Sequence, residues 1–333
     1  AVSSDSSDRR LVLLLIGLCL FLFFFHLGSR DLWDVDEGMH SVSAKYVVES
    51  GDWVTPTYNG EAFLDKPMFF TWLVAISFSL FGFTEQAARL PAAVIALLGV
   101  LVTYQLGRKM FDARTGFLGG SVLATTILYL AMSRTVVHDS ALALFTTLAL
   151  YLFWVAMVDP ERRSTSFLLF YVAVAGAVLS KGPLGLVLPA LVILPFLVLT
   201  RRLGLIREMQ LGWGALIFLV LVAPWYILMS VRNEGYLTYF LIEKTFGSFA
   251  SEESSHPAPW HFYIPVFLGA LLPWTGYLPA ALYRAWKRLA GEKREPILFL
   301  LLWLGTMFLF FSAATSKLVT YLLPAMPAVA LLI

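Results

Sequence analysis

Ten apolar runs, each near the length of a bilayer crossing, recur along the 333-residue chain: Leu11–Leu27, Ala87–Leu106, Phe117–Met132, Ala141–Val158, Phe167–Leu179, Leu184–Thr200, Gly212–Ser230, Trp260–Leu282, Ile297–Phe311 and Leu318–Ile333. A hydrocarbon core takes ~20 helical residues to cross, within a range of about 17–25. No water enters that core, so each crossing segment must satisfy its own backbone, which leaves helices as the reading of these runs. With 59% hydrophobic and only 14% charged residues, a soluble domain is excluded. The fold class expected is an all-α polytopic membrane protein with about ten spans. The first run follows Arg9-Arg10 but leads into Gly28-Ser29-Arg30 without a small-x-small cleavage site, so it reads as a retained span and not a signal peptide. The single Cys19 lies inside it, which excludes a disulfide framework. A net charge of +2 gives no reason to expect nucleic acid as a partner. The chain begins without Met and stops at Leu331-Leu332-Ile333, within an apolar run. Residues 1–333 are therefore expected to be one transmembrane domain, truncated at the C-terminus from a longer polypeptide, with any C-terminal soluble domain absent.

Lysine and arginine set the topology. If Arg9 and Arg10 face the cytoplasm, alternation puts 15 of the 24 basic residues there: those two, Arg108, Lys109 and Arg114, Arg162 and Arg163, Arg201, Arg202 and Arg207, and Arg284, Lys287, Arg288, Lys293 and Arg294. The other nine (Arg30, Lys45, Lys66, Arg89, Arg134, Lys181, Arg232, Lys244 and Lys317) are scattered over the opposite side. The count also decides Phe69–Phe83. Taken as a span, it would invert every later loop and turn the basic clusters outward. It is short for a crossing and is expected to lie along the outer interface, with Ser41–Glu49 as another short helix there.

The outer side also gathers acid. Eight of the 22 acidic residues fall between Asp31 and Asp65, six of them in Asp31-Leu-Trp-Asp34-Val-Asp36-Glu37 and Glu61-Ala-Phe-Leu-Asp65-Lys66-Pro67. Ionised groups beside hydrocarbon are costly, so such a cluster marks a site. Isolated cations join it at span ends: Lys181 in Ser180-Lys-Gly-Pro and Lys317 in Thr315-Ser-Lys, with Asp139 following Arg134-Thr-Val-Val-His138. Singly, each reads as a side chain snorkelling to the headgroups. Together they form a ring of mixed charge suited to a lipid phosphate, whose charge the cations neutralise while a carboxylate takes a proton from an attacking hydroxyl.

Asp34-Val-Asp36-Glu37, Phe63-Leu-Asp65-Lys66-Pro67, Asp139 and Ser316-Lys317-Leu-Val-Thr-Tyr321-Leu-Leu-Pro324 resemble the aminoarabinose transferase (ArnT-like) branch of the protein O-mannosyltransferase superfamily. His256-Pro-Ala-Pro-Trp260 through Leu272-Pro-Trp274 looks like its late outer loop and the span after it, and the resemblance runs over roughly residues 30 to 333. It implies a GT-C transmembrane helix bundle with interfacial helices on the outer face. The activity implied is a multi-pass inner-membrane glycosyltransferase, its N-terminus cytoplasmic and its active site periplasmic or extracytoplasmic. It would move a sugar from a polyprenyl-phosphate donor to a lipid or other cell-envelope acceptor. Asp36 and Asp139 then match acidic residues that activate or orient the acceptor, with Glu37 beside them as a third catalytic carboxylate. Lys66 and Tyr321 match groups at the donor phosphate, and Lys317 and Lys181 are further cations for it. Asp65 and His256 match positions for a divalent metal ion, although one carboxylate and one imidazole are an incomplete coordination set. Relatives carry an arginine two residues after the Asp-Glu pair; here Met39 stands there with His40 beside it, so Arg232 is the candidate to complete the phosphate clamp. The acidic, serine-rich stretch Glu252-Glu-Ser-Ser255 has the character of a lid.

Three other readings remain: a mannosyltransferase-like enzyme with a polypeptide acceptor, a transporter or flippase, and a structural or accessory membrane subunit without activity of its own. Transporters place ionisable residues near the midplane in paired repeats. Here the ionisable residues sit at span ends on one side, and no repeat relates the two halves.

Overall fold

The computed structural model describes residues 2–33, 35–247 and 256–333. Asp34 and the expected lid residues Glu252–Ser255 lie outside the described residues. The fold is a helix bundle in which every apolar run becomes helical. Helix α1 (Val2–Cys19) continues as a π-helical turn, Leu20–Phe24. After α2 (Asp36–Ser50) comes a two-residue hairpin, β1 (Thr57–Tyr58) with β2 (Glu61–Ala62), pairing Thr57 with Ala62. Then follow α3 (Phe69–Phe81), α4 (Glu85–Met110), α5 (Ala113–Thr125), α6 (Ile127–Met132), α7 (Asp139–Val158), α8 (Arg163–Lys181), α9 (Leu184–Leu199), α10 (Leu205–Glu208) and α11 (Leu211–Arg232). A short α12 (Tyr236–Thr238) opens into the π-helical segment Tyr239–Gly247. Helices Tyr263–Ala270, Leu278–Arg288 and Arg294–Ala313 and a final 3-10/α pair, Val319–Ala325 and Met326–Leu332, complete the chain.

Five of these helices (α4, α7, α8, α11 and Arg294–Ala313) are each long and apolar enough to cross a membrane, and the pair Trp260–Ala270 and Trp274–Arg288, bent by 108°, makes a sixth if counted as one span. The remaining runs among the ten expected are interrupted, as at α5/α6, or short, as at α9. Helix α3 is 13 residues long, as befits a helix beside the bundle. It buries Phe70, Val74, Ala75 and Phe78 and leaves Ile76, Leu80 and Phe81 exposed.

Local chemistry sets the ends. Thr84 caps α4 by accepting from the Ala87 N–H at 3.2 Å, and Arg108 and Lys109 close its last turn against the helix dipole. Asp112 caps α5 in the same way, accepting from the Thr115 N–H at 2.8 Å. The two helices then meet at Gly116, where a Cβ would lie 2.4 Å from the Tyr104 carbonyl oxygen, the close backbone approach that small residues permit in membrane bundles.

Two apolar cores divide the bundle. The larger runs through α1, α4, α5, α7, α9 and the C-terminal helices, centred on Phe153, Phe196, Phe299 and Trp303. The smaller lies under α2 and α3 and takes in Ile95, Val136, Leu144, Leu179, Trp225, Tyr236 and Phe240, so it forms the floor of one end. Ion pairs sort the charges to the two ends as the sequence leads one to expect. Arg108–Asp8 (2.8 Å), Lys109–Asp159 (3.2 Å), Arg163–Glu208 and Arg202–Glu295 (2.8 Å) link turns of the basic set to one another. At the other end are Arg89–Glu37, Lys181–Asp139, Arg232–Asp52 and Lys244–Asp65.

Candidate active site

Helix α2 meets the site with a register that separates its first two carboxylates. Asp36 is exposed in the first turn and has no hydrogen-bond partner among the described residues, whereas Glu37 is buried. Glu37 Oε1 accepts from Arg89 Nε (3.0 Å) and the Val136 N–H (2.9 Å), and Oε2 accepts from an Arg89 terminal nitrogen (2.7 Å) and the Trp33 N–H (2.9 Å). Arg89 spends its remaining donors on the carbonyls of Leu27, Arg30 and Asp31. Burial opposes the charge on Glu37, but the bonds from Arg89, Trp33 and Val136 outweigh it and hold the carboxyl below the usual glutamate range. Glu37, expected among the catalytic carboxylates, therefore has no lone pair to offer. It fastens the segment after α1 to α4 and to the strand of chain leading into α7.

Asp139 opens α7 and Lys181 closes α8, and the two form a buried ion pair. The Lys181 ammonium also sits 4.2 Å above the Tyr321 ring, a cation–π contact that brings the last expected motif to the same place. Gly182 makes this possible. It ends α8 at φ 69, and a Cβ there would strike the Phe240 ring at 2.6 Å.

Lys66, in the loop before α3, is half-buried and has no ion-pair or hydrogen-bond partner among the described residues. Desolvation first, and then the neighbouring Lys181, push its ammonium down to about 8 against the pull of Asp139. Next to it, Asp65 accepts from the Tyr239 hydroxyl at 2.6 Å and pairs with Lys244, both from the π-helical segment. Burial pushes the Asp65 carboxyl up, but these two bonds more than reverse it.

The other expected ligands lie elsewhere. Arg232 pairs with Asp52 at 2.6 Å, so its guanidinium is engaged at the rim. Lys317 is buried and gives its ammonium to the carbonyls of Ala258 (2.9 Å) and Ala314, tying the late outer loop to the end of helix Arg294–Ala313. The metal set does not fit. Asp65 is neutralised by Lys244, His256 is exposed, and the described residues hold no group of three or more His, Cys, Asp or Glu arranged for an ion.

Three groups were missed by reading along the chain. Arg89 begins an alanine-rich apolar helix, a setting in which an arginine needs a buried partner, and that signal was available. Tyr239 and Lys244 had none, since their partner lies more than 170 residues away.

The family model described as dolichyl-phosphate-mannose-protein mannosyltransferase matches residues 65–228. The undecaprenyl phosphate-alpha-4-amino-4-deoxy-L-arabinose arabinosyl transferase of Pseudomonas aeruginosa (strain UCBPP-PA14) is 33% identical over 326 residues, covering 96% of this chain and 58% of that one. The crystal structure of ArnT from Cupriavidus metallidurans bound to undecaprenyl phosphate superposes with a TM-score of 0.89 at 30% identity, over 96% of this chain and 59% of that one. Along nearly its whole length the chain is similar to the ArnT-like branch of the protein O-mannosyltransferase superfamily. It spans about three fifths of the length of these relatives. The archaeal oligosaccharyltransferase AglB from Archaeoglobus fulgidus, at 16% identity and a TM-score of 0.67, shares the fold, so the bundle is a membrane GT-C architecture. This chain brings Lys66, Asp139, Lys181 and Tyr321 to one end of the bundle, while Glu37, Lys317 and Arg232 are engaged in contacts of their own.

Proposed function

We propose that the protein is an integral membrane glycosyltransferase that moves a sugar from an undecaprenyl-phosphate-type donor to a lipid or other cell-envelope acceptor. The observation that carries this reading is Lys66, a half-buried ammonium with no ion-pair or hydrogen-bond partner among the described residues, since the nearby carboxylates of Asp65 and Asp139 are engaged by Lys244 and Lys181. A buried unpaired cation is costly and is retained where a ligand supplies the counter-charge. The relatives' donor, as their names give it, is an undecaprenyl phosphate sugar. The donor phosphate rests on Lys66, with Lys181 behind it. Charge grows on that phosphate as the glycosidic bond breaks, and fixed cations stabilise the growing charge more than the ground state. Asp36, exposed at the mouth and free of partners among the described residues, takes the proton of the attacking acceptor. Asp139, tied to Lys181, orients the acceptor and keeps that cation in place. The end carrying this site faces the periplasm, because the basic turns gather at the other end. No step is routed through a metal ion.

Purified protein given a radiolabelled polyprenyl-phosphate sugar should release free lipid phosphate. Asp36→Asn and Asp139→Asn should each slow that release by about 10²–10⁴-fold, the usual worth of a general base. Unchanged turnover in both would overturn the assignment.

The Lys66 value sets a pH dependence. A lysine lowered to about 8 is charged below that pH and loses its proton above it. Affinity for the lipid phosphate should therefore be full below about pH 8 and fall as pH rises, approaching tenfold per unit until the raised value of the bound ammonium is passed. Binding measured across that range should show the fall in the natural protein and lose it in Lys66→Met.

A further inference from the structure

Near Lys66 lies a pair of imidazoles that takes no part in the sugar transfer described above. The His40 and His138 rings are 4.4 Å apart between centroids, tilted by 64°. His138 is 2% exposed, and neither of its ring nitrogens has a hydrogen-bond partner among the described residues. Its ring is wedged against Phe70 at 5.1 Å, and His40 packs against Phe63 at 6.0 Å. Two buried nitrogens left without partners cost stability unless another state of the site uses them.

The site's charge balance suggests which state that is. Asp139 with Lys181 and Asp65 with Lys244 cancel, and with Asp36 exposed on the first turn of α2, Lys66 is left as the one unpaired positive charge among the more deeply set groups. A sugar phosphodiester carries one negative charge and matches it. The lipid phosphate released by sugar transfer is a monoester that carries up to two. The product state is then one positive charge short.

Resting on the proposed reaction, we infer that His40 takes up a proton as the lipid phosphate becomes a dianion, giving one N–H to a phosphate oxygen and the other to the waiting nitrogen of His138. The balance closes on each side. The glycosidic carbon–oxygen bond breaks with its electron pair going to the phosphate oxygen, the acceptor oxygen bonds to the sugar, and the acceptor's proton passes by way of Asp36 to His40. Asp36 and His40 stand four apart on α2 and so share one face, one turn from each other. In the resting site burial first, then Lys66, hold His40 down at about 4, with Lys181 acting in the same sense and Asp139 and Asp65 opposing. His40 is thus neutral until the phosphate's second charge arrives. His138, kept uncharged by burial, is a positioning residue.

Calorimetric titration of undecaprenyl phosphate at about pH 6.5, repeated in buffers of different ionisation enthalpy, counts protons taken up on binding. At that pH Lys66 is already charged and adds nothing to the count. The natural protein should take up about one proton more than His40→Gln, which donates a hydrogen bond but holds no charge. His138→Phe, which keeps the ring packing, should lose most of that difference. Binding that still depends on Lys66 but shows equal proton counts in all three proteins would overturn the inference and leave the phosphate site standing. Binding indifferent to Lys66→Met would overturn the reaction reading itself.

Discussion

Lys66→Met should lower kcat/KM for a polyprenyl-phosphate sugar by about 10²–10³-fold, the usual cost of removing one preorganised electrostatic contact to developing charge. Methionine keeps the length of the side chain and removes only the ammonium. The substitution removes a half-buried ammonium whose nearby carboxylates are already paired with other lysines, so the melting temperature should hold or rise. Activity and stability thus move in opposite directions, which a merely structural lysine would not produce. Lys66→Arg should recover little, because the planar fork needs more room than a point charge between Asp65 and Pro67. If Lys66→Met retains activity within a few-fold, the phosphate lies elsewhere.

Breaking the Glu37–Arg89 pair should have the largest effect on stability. Arg89→Ala leaves a buried carboxylate that keeps only the Trp33 and Val136 amides, and Glu37→Ala leaves a buried guanidinium facing carbonyls alone. Loss of one member of a buried pair costs about 3–5 kcal/mol, mostly through the stranded charge. The double variant should cost less than the two singles added, since neither charge is then stranded. The pH dependence has a definite sign. Glu37 titrates below its ordinary value in the fold, so its contribution is present above the usual glutamate range and is lost as pH falls through the lowered value. Thermal melts in detergent at neutral and acid pH measure both. Equal melting temperatures for the natural protein and Arg89→Ala would refute the anchoring role.

The fold was largely legible because membrane crossing is a demand on composition and length, which a sequence carries openly. The α3 segment could be set aside as a span because its length and the lysine–arginine count agreed, and it is a 13-residue helix. The site was legible as a neighbourhood but not as a set of roles. Asp36 and Glu37 are adjacent in sequence, yet one is exposed and the other buried against Arg89. That difference depends on the rotation of α2 about its axis, which packing on α3 and α4 decides. Lys181 with Asp139 and Lys244 with Asp65 depend on helices meeting across 42 and 179 residues, and no local pattern encodes such distances. Lys317 looked like a phosphate ligand because a lysine at a span end is rare. Only the positions of the Ala258 and Ala314 carbonyls reveal that two of its three hydrogens are already given away.

Helix α2 divides its labour by phase. The side that carries Glu37 is fixed by Arg89 to three other segments, so exchanges there threaten the whole end of the bundle. The side that carries Asp36 and His40 bears none of that anchoring. Substitutions on this second side should change the chemistry of the site without loosening the frame. Reaction and scaffold thus answer to different residues of one short helix.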